Sequence, residues 1–178
     1  MQAALHRGQP YSPAAVLSKA DRELLVLART RLHGPNSDRA VAAFSRLGEH
    51  GAGWIALGAA GALTQPDPDR RRPWVRGIGA VISAYAANQT IKFVVRRRRP
   101  RLRGLPPLTS TVSNLSFPSA HAATSFAAAR AYTALLPGAP LYATAALLAA
   151  SRTYLGVHYP SDVAAGALLG LLVGQLAR

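Results

Sequence analysis

Between Ser12 and Leu32, apolar residues return every three to four positions, at Leu17, Ala20, Leu24, Leu27, Ala28 and Leu32. Lys19, Arg22 and Arg29 fall on the other side. That period is one face of a helix. Ser12-Pro13 supplies a cap and a proline at the first helical position, and Gly34-Pro35 ends the element. The expected element, residues 12–33, is a basic amphipathic helix of the kind that lies in a membrane interface rather than across it.

Downstream the apolar residues come in blocks instead of stripes. Asn36-Ser37-Asp38 caps a second helix predicted to run to about Leu63, polar at Arg46, Glu49 and His50 and apolar from Gly51 on. Gln65 to Arg72 reads as a loop. Trp74 to Val95 is long enough to cross a bilayer, for which about 20 residues suffice. Arg96 to Phe117 is a polar connection. Pro118 to Leu136, Leu141 to Leu155 and Pro160 to Ala177 read as further spans. No internal repeat and no strand alternation is present. Gly166, Gly170 and Gly174 would let their helix pack closely inside the molecule.

The expected fold class is therefore all-α: a polytopic membrane helix bundle of about five transmembrane helices plus the N-terminal amphipathic helix. It forms one domain over residues 1–178, with its transmembrane core at 38–178.

Charge and composition sharpen this. The chain carries a formal charge of +14, yet 49% of its residues are hydrophobic. Strong basicity suits nucleic acid or an anionic membrane surface, and the apolar blocks favour the membrane. The expected partner is the bilayer, not nucleic acid; the oligomeric state is left open. Cysteine is absent, which removes disulfides and thiolate metal sites. Met1 to Pro10 lacks the apolar core of a signal peptide.

The helix assignment brings the chemistry-bearing residues to one face. Lys92 ends a span and Arg99 lies just beyond it, while Arg96, Arg97 and Arg98 between them read as retention charge after a span. Pro118 starts a helix whose first amides, at Ser119, Ala120 and His121, lack intrahelical partners and favour an anion. His121 can hold or release a proton near neutral pH. Pro160 starts another helix, with His158 just before it and Asp162 in its first turn. A carboxylate four residues on can accept from one imidazole nitrogen and leave the other to attack. Arg152 is costly at the membrane end of a helix unless it has a task. Cations for phosphate oxygens, a nucleophile and an acid are what phosphoryl transfer requires.

These stretches resemble the type 2 phosphatidic acid phosphatase (PAP2) family, whose pattern is Lys-x6-Arg-Pro, Pro-Ser-Gly-His and Ser-Arg-x5-His-x3-Asp. All three occur in order between Lys92 and Asp162, with one departure, Ala120 in place of glycine. The resemblance implies that His158 attacks phosphorus to form a phosphohistidine, that Asp162 orients it, and that His121 protonates the leaving oxygen. Lys92, Arg99, Ser119, the Ala120 amide and Arg152 would hold the phosphate. It implies no metal or other cofactor, and the sequence offers no carboxylate cluster to bind one.

The apolar spans argue against the family's soluble haloperoxidase branch. A non-catalytic basic membrane protein would explain the arginines but not His121, His158 and Asp162 together. The implied substrates are phosphorylated lipids: phosphatidic acid, phosphatidylglycerol phosphate, polyprenyl diphosphates or polyprenylphosphoryl sugar phosphates. Among these, with its arginine- and alanine-rich composition, small size and charge distribution, the chain most resembles the phosphatases acting on decaprenylphosphoryl-5-phosphoribose, in cell-wall arabinan precursor synthesis. Arg46, Glu49 and His50 are expected near the active-site face, with Glu49 and His50 as head-group contacts. The excess of lysine and arginine on that face predicts that it is cytoplasmic in a multi-pass plasma-membrane protein.

Overall fold

The structure is a computed structural model that describes residues 13–31 and 33–177, with side chains from residue 19 on. Among the described residues seven α-helices follow one another: α1 (Pro13–Thr30), α2 (Pro35–Arg46), α3 (Ala52–Leu63), α4 (Pro68–Val95), α5 (Ala120–Tyr132), α6 (Gly138–Tyr154) and α7 (Pro160–Leu176). Strand pairing among the described residues is limited to isolated bridges, Arg98 with Leu115 and Leu102 with Leu105. The all-helical class is as expected.

α5 occupies the middle, packed by α3, α4, α6 and α7. Its partner α7 comes closest because Gly166, Gly170 and Gly174 line the contact. A Cβ at Gly170 would stand 2.3 Å from the Ala123 carbonyl oxygen, and one at Gly166 2.4 Å from that of Ser119. The glycine stripe is thus an internal seam. Around the C-terminal half of α5 a core gathers Trp54, Trp74, Val81, Ala128, Tyr132 and Leu148. The N-terminal end of α5 is left to the polar residues discussed below.

Four expectations are corrected. The second helix is not continuous to Leu63. It breaks after Arg46 into a short 3-10 turn, Glu49–Gly51, where His50 and Gly51 adopt φ of 52° and 74°. Gly51 suits that conformation, and a Cβ there would also lie 2.5 Å from Val81 Cγ1. The helix also starts ahead of the expected Asn36-Ser37-Asp38 cap, because Pro35 sits at its first position behind Gly34. Residues 68–72, expected as loop, are the first turns of α4, with Asp67 accepting from the Asp69 N–H at its start.

In α1 the expected polar face is wrong at Arg29. The inward stripe is Asp21, Leu25 and Arg29, all buried, while Leu24 and Leu27 stay exposed. Arg29 is turned inward because the chain supplies acceptors there, the carbonyls of Pro106 at 2.8 Å and Tyr154 at 3.3 Å. Ser12, Leu32, Arg178, Met1 to Pro10 and the side chain of Leu17 lie outside the described residues.

Only α4, with 28 residues, is long and apolar enough among the described residues to cross a bilayer by itself. α6 and α7 have 17 residues each, so each extends roughly 26 Å at 1.5 Å per residue, against a hydrocarbon core of about 30 Å. α5 is shorter than its apolar block because Pro118 and Ser119 precede it and Thr133 to Leu136 leave the helix.

Candidate active site

Asp162 is the third residue of α7 and fully buried. A carboxylate out of water must be compensated, or it costs several kcal/mol. Its Oδ2 accepts from the Tyr159 N–H at 2.9 Å, and its Oδ1 from Arg97 Nη1 at 2.8 Å. The His158 ring lies against the same group, with Nδ1 3.6 Å from Oδ2. That is beyond hydrogen-bond length. The sequence reading made His158 the carboxylate's partner. Here Arg97 and the helix-start amide hold it first, since a guanidinium pairs more strongly with a carboxylate than a neutral imidazole does.

Arg97 therefore belongs to the site rather than to a generic retention cluster. Its other nitrogen, Nη2, donates to Asp21 Oδ2 at 2.8 Å, and its plane stacks over the Tyr159 ring at 4.1 Å. An arginine inside a run of four gives no sequence signal that sets it apart from its neighbours.

His158 lies buried in the turn between α6 and α7. Arg99 Nη1 stands 3.0 Å from its Nε2. A guanidinium has no acceptor, so Nε2 must accept and the ring proton is assigned to Nδ1, facing Asp162. Burial pushes the imidazole pKa down to about 4, against the pull of Asp162 and helped by the Arg99 charge. At neutral pH Nε2 thus carries a lone pair. Hydrogen bonds of this kind commonly tighten only when substrate is in place.

His158 lines a cavity of about 90 Å³ whose wall also includes Lys92, Arg99, Ala120, His121 and Arg152. Lys92 Nζ is anchored by the Pro118 and Leu115 carbonyls at 3.2 and 3.4 Å. Asn88, one turn earlier on α4, donates to the same Pro118 oxygen at 3.0 Å. Burial lowers the Arg99 pKa to about 10, which keeps it cationic at pH 7.

Ser45 ties two motifs together. Its hydroxyl accepts from Arg152 Nη1 at 2.7 Å, and its carbonyl accepts from His121 Nε2 at 3.1 Å. The His121 Nε2–H is thus committed to Ser45, and Nδ1 of the neutral ring is the lone-pair nitrogen through which a proton can be taken up and passed on. The break after α2 puts the chain here: a Cβ on Gly48 would lie 2.9 Å from the His121 ring.

Ser119 and Asp162 stand behind the cavity wall rather than in it. The Ser119 amide, expected as an anion donor, is used by the Asp162 carbonyl oxygen at 2.9 Å. Its buried hydroxyl has no partner among the described residues, and neither does Arg152 Nε. Ala120 opens α5 and is not in a glycine-only conformation, so its departure from the family's glycine brings no backbone strain.

Glu49 and His50 line the outer side of the same cavity, with Tyr85 and Gln89. His50 Nδ1 lies 2.9 Å from Tyr85 Oη, which accepts from Gln89 Nε2 at 2.8 Å. Arg46 is exposed and makes no ion pair with Glu49 among the described residues.

Comparison with known proteins places these features in a family. The model of the PAP2 superfamily matches residues 74–178. A decaprenylphosphoryl-5-phosphoribose phosphatase of Mycolicibacterium smegmatis is 46% identical over 151 residues, covering 83% of this chain and 82% of that protein. The protein so named in Mycobacterium tuberculosis is 46% identical over 134 residues, covering 74% and 73%. Among solved structures, Aquifex aeolicus LpxE superposes with a TM-score of 0.71 at 26% identity, covering 88% of this chain and 93% of that one. A transmembrane PAP2-type phosphatidylglycerolphosphate phosphatase from Bacillus subtilis also gives 0.71 at 26% identity, covering 94% and 86%.

The tautomer and charge of His158 are open to direct observation. In histidine-labelled protein, the nitrogen shifts that vanish in His158→Ala should report a neutral ring with its proton on Nδ1 at pH 6. Charging should set in only as the pH falls toward about 4. The sign follows from burial, which disfavours the imidazolium. A midpoint near the ordinary value of roughly 6.5 would contradict this reading.

Proposed function

The chain belongs to the PAP2 superfamily, and from that premise we propose that it removes the terminal phosphate of decaprenylphosphoryl-5-phosphoribose through a phosphohistidine on His158. It is a lipid phosphatase, a phosphoric monoester hydrolase. The observation that carries the chemistry is the meeting of His158, His121 and three cationic side chains around one cavity.

In the proposed reaction the phosphomonoester enters between Lys92, Arg99 and Arg152, where the Ala120 amide supplies a further donor, while Ser119 stays behind the wall. Arg99 exchanges its contact with Nε2 for a phosphate oxygen, which frees the lone pair. Nε2 attacks phosphorus as the bond to the ribose oxygen breaks, and His121, protonated at Nδ1 by the entering phosphomonoester monoanion, passes that proton to the leaving oxygen. The charge left on the His158 ring is stabilised at Nδ1–H by Asp162. Water, relieved of a proton by His121, then attacks the phosphohistidine and releases inorganic phosphate.

A second cavity, of about 640 Å³, supports a substrate with more than one phosphate. It is lined by Arg96, Arg98, Arg99 and Arg101 without any acidic residue, and shares Arg99 and Thr111 with the first. A polyprenylphosphoryl sugar phosphate carries a phosphodiester beyond the group that is cleaved. Glu49 and His50, at the outer wall, are suited to the sugar hydroxyls.

The proposed setting is a multi-pass one, with crossings at α3, α4, α5, α6 and α7, and α1 lying in the interface through Leu24 and Leu27. The arginine-rich 96–103 segment and α1 share the active-site end, so the site is proposed to face the cytoplasm, where basic flanks are retained.

Purified protein should release phosphate from decaprenylphosphoryl-5-phosphoribose faster than from phosphatidic acid, phosphatidylglycerol phosphate or undecaprenyl diphosphate. EDTA should leave the rate intact. His158→Ala should abolish release, and Asp162→Asn should cost up to about 10⁴-fold in kcat, as loss of an orienting carboxylate does in a triad. Preference for another lipid would overturn the substrate, and turnover by His158→Ala the mechanism.

Orientation is tested by Ser110→Cys, on the active-site side, and Gln65→Cys, at the opposite end, in this cysteine-free chain. An impermeant thiol reagent on intact cells should label only the second. Labelling of the first alone would place the site outside.

A further inference from the structure

Asp21 lies on α1, outside residues 74–178 that the family model matches, yet both of its oxygens are committed to the active site. Oδ2 accepts from Arg97 Nη2 at 2.8 Å and from the Ser161 hydroxyl; Oδ1 accepts from the Ser161 N–H at 2.9 Å. Arg97 spends its other terminal nitrogen on Asp162 at 2.8 Å and on Ser161 Oγ at 2.7 Å. One guanidinium thus bridges two carboxylates, 5% and 0% exposed, that come from opposite ends of the chain. We propose that Asp21 is a positioning residue of the phosphatase site, fixing Arg97 against Asp162 and thereby the carboxylate behind the His158 ring.

The proposal rests on the phosphatase reading above and names a residue that the family's motifs do not contain. A planar fork can hold two carboxylates at once, which a lysine cannot do with the same geometry. Without Asp21, Arg97 keeps one anchor and can rotate over Tyr159, and Asp162 loses the restraint that sets its distance from Nδ1. Small displacements of this kind cost rate rather than binding, since a shift of about 1 Å can cost on the order of 100-fold. The same bond makes α1 part of the catalytic unit. Its apolar outer face meets the membrane while its inner face holds the site.

Asp21→Asn, which keeps shape and removes charge, should lower kcat by about 10- to 100-fold and leave KM within about twofold. Asp21→Glu should recover part of the loss. In an Arg97→Lys background the Asp21→Asn change should cost less than about threefold more, because both act through one bridge. Arg29→Gln loosens the same helix at its other anchor, so it should lower the thermal midpoint while kcat stays within about twofold. The proposal is overturned by an unchanged kcat in Asp21→Asn, by full additivity with Arg97→Lys, or by an equal kcat loss in Arg29→Gln. Turnover by His158→Ala would instead overturn the underlying reaction.

Discussion

The buried charge of Asp162 organises four segments that are distant in sequence. Arg97, from the connection after α4, neutralises it; the Tyr159 amide caps it; Asp21 of α1 holds Arg97 from behind; and the Ser119 amide, before α5, donates to its backbone oxygen. Removing one partner of such a pair exposes the other to the full cost of desolvation. The motif His158-x3-Asp162 is therefore only the visible end of a longer chain of charges. Its geometry follows from how those segments meet.

They meet because α5 and α7 pack backbone to backbone. Gly166 faces the Ser119 carbonyl and Gly170 that of Ala123, so the helix starts bearing His121 and Asp162 are brought side by side. Ser45 performs the equivalent task on the other wall, where a broken helix lets one residue hold both Arg152 and His121. The cations are fixed by carbonyls rather than by carboxylates: Lys92 by Pro118, and Arg99 by Ser113 and Val157. Their charge stays available to an anion, which is the condition for stabilising a transferring phosphoryl group.

Much of this was legible in the sequence, and for physical reasons. Pro160 opens α7 at its first position, so the placing of His158 and Asp162 at that start follows from a local rule, whereas Pro118 stands two residues ahead of α5 and only brings His121 into its first turn. The glycine spacing on α7 foretold an internal contact. What stayed hidden depends on tertiary approach. Arg97 cannot be told from Arg96 or Arg98 until the antiparallel bridge of Arg98 with Leu115 sets which arginine turns inward. Arg29 looks like the polar face of a surface helix, and Asp21 carries no signal of its own, because period alone cannot show that the neighbouring chain offers them partners. The break at His50 and Gly51 had only two glycines as signal, and the apolar block after it hid the kink. Hydropathy likewise does not reveal where a helix stops within an apolar block, as α5 does before Leu136, or where it starts outside one, as α4 does at Pro68.

The central claim is that His158 takes the phosphoryl group before water does. Two successive in-line displacements at phosphorus restore its original configuration, whereas direct attack by water inverts it. Hydrolysis of an isotopically chiral thiophosphate analogue of the substrate distinguishes the two. The account predicts net retention in the released thiophosphate. Net inversion would contradict it, because it would leave His158 as a general base or a binding group rather than the nucleophile.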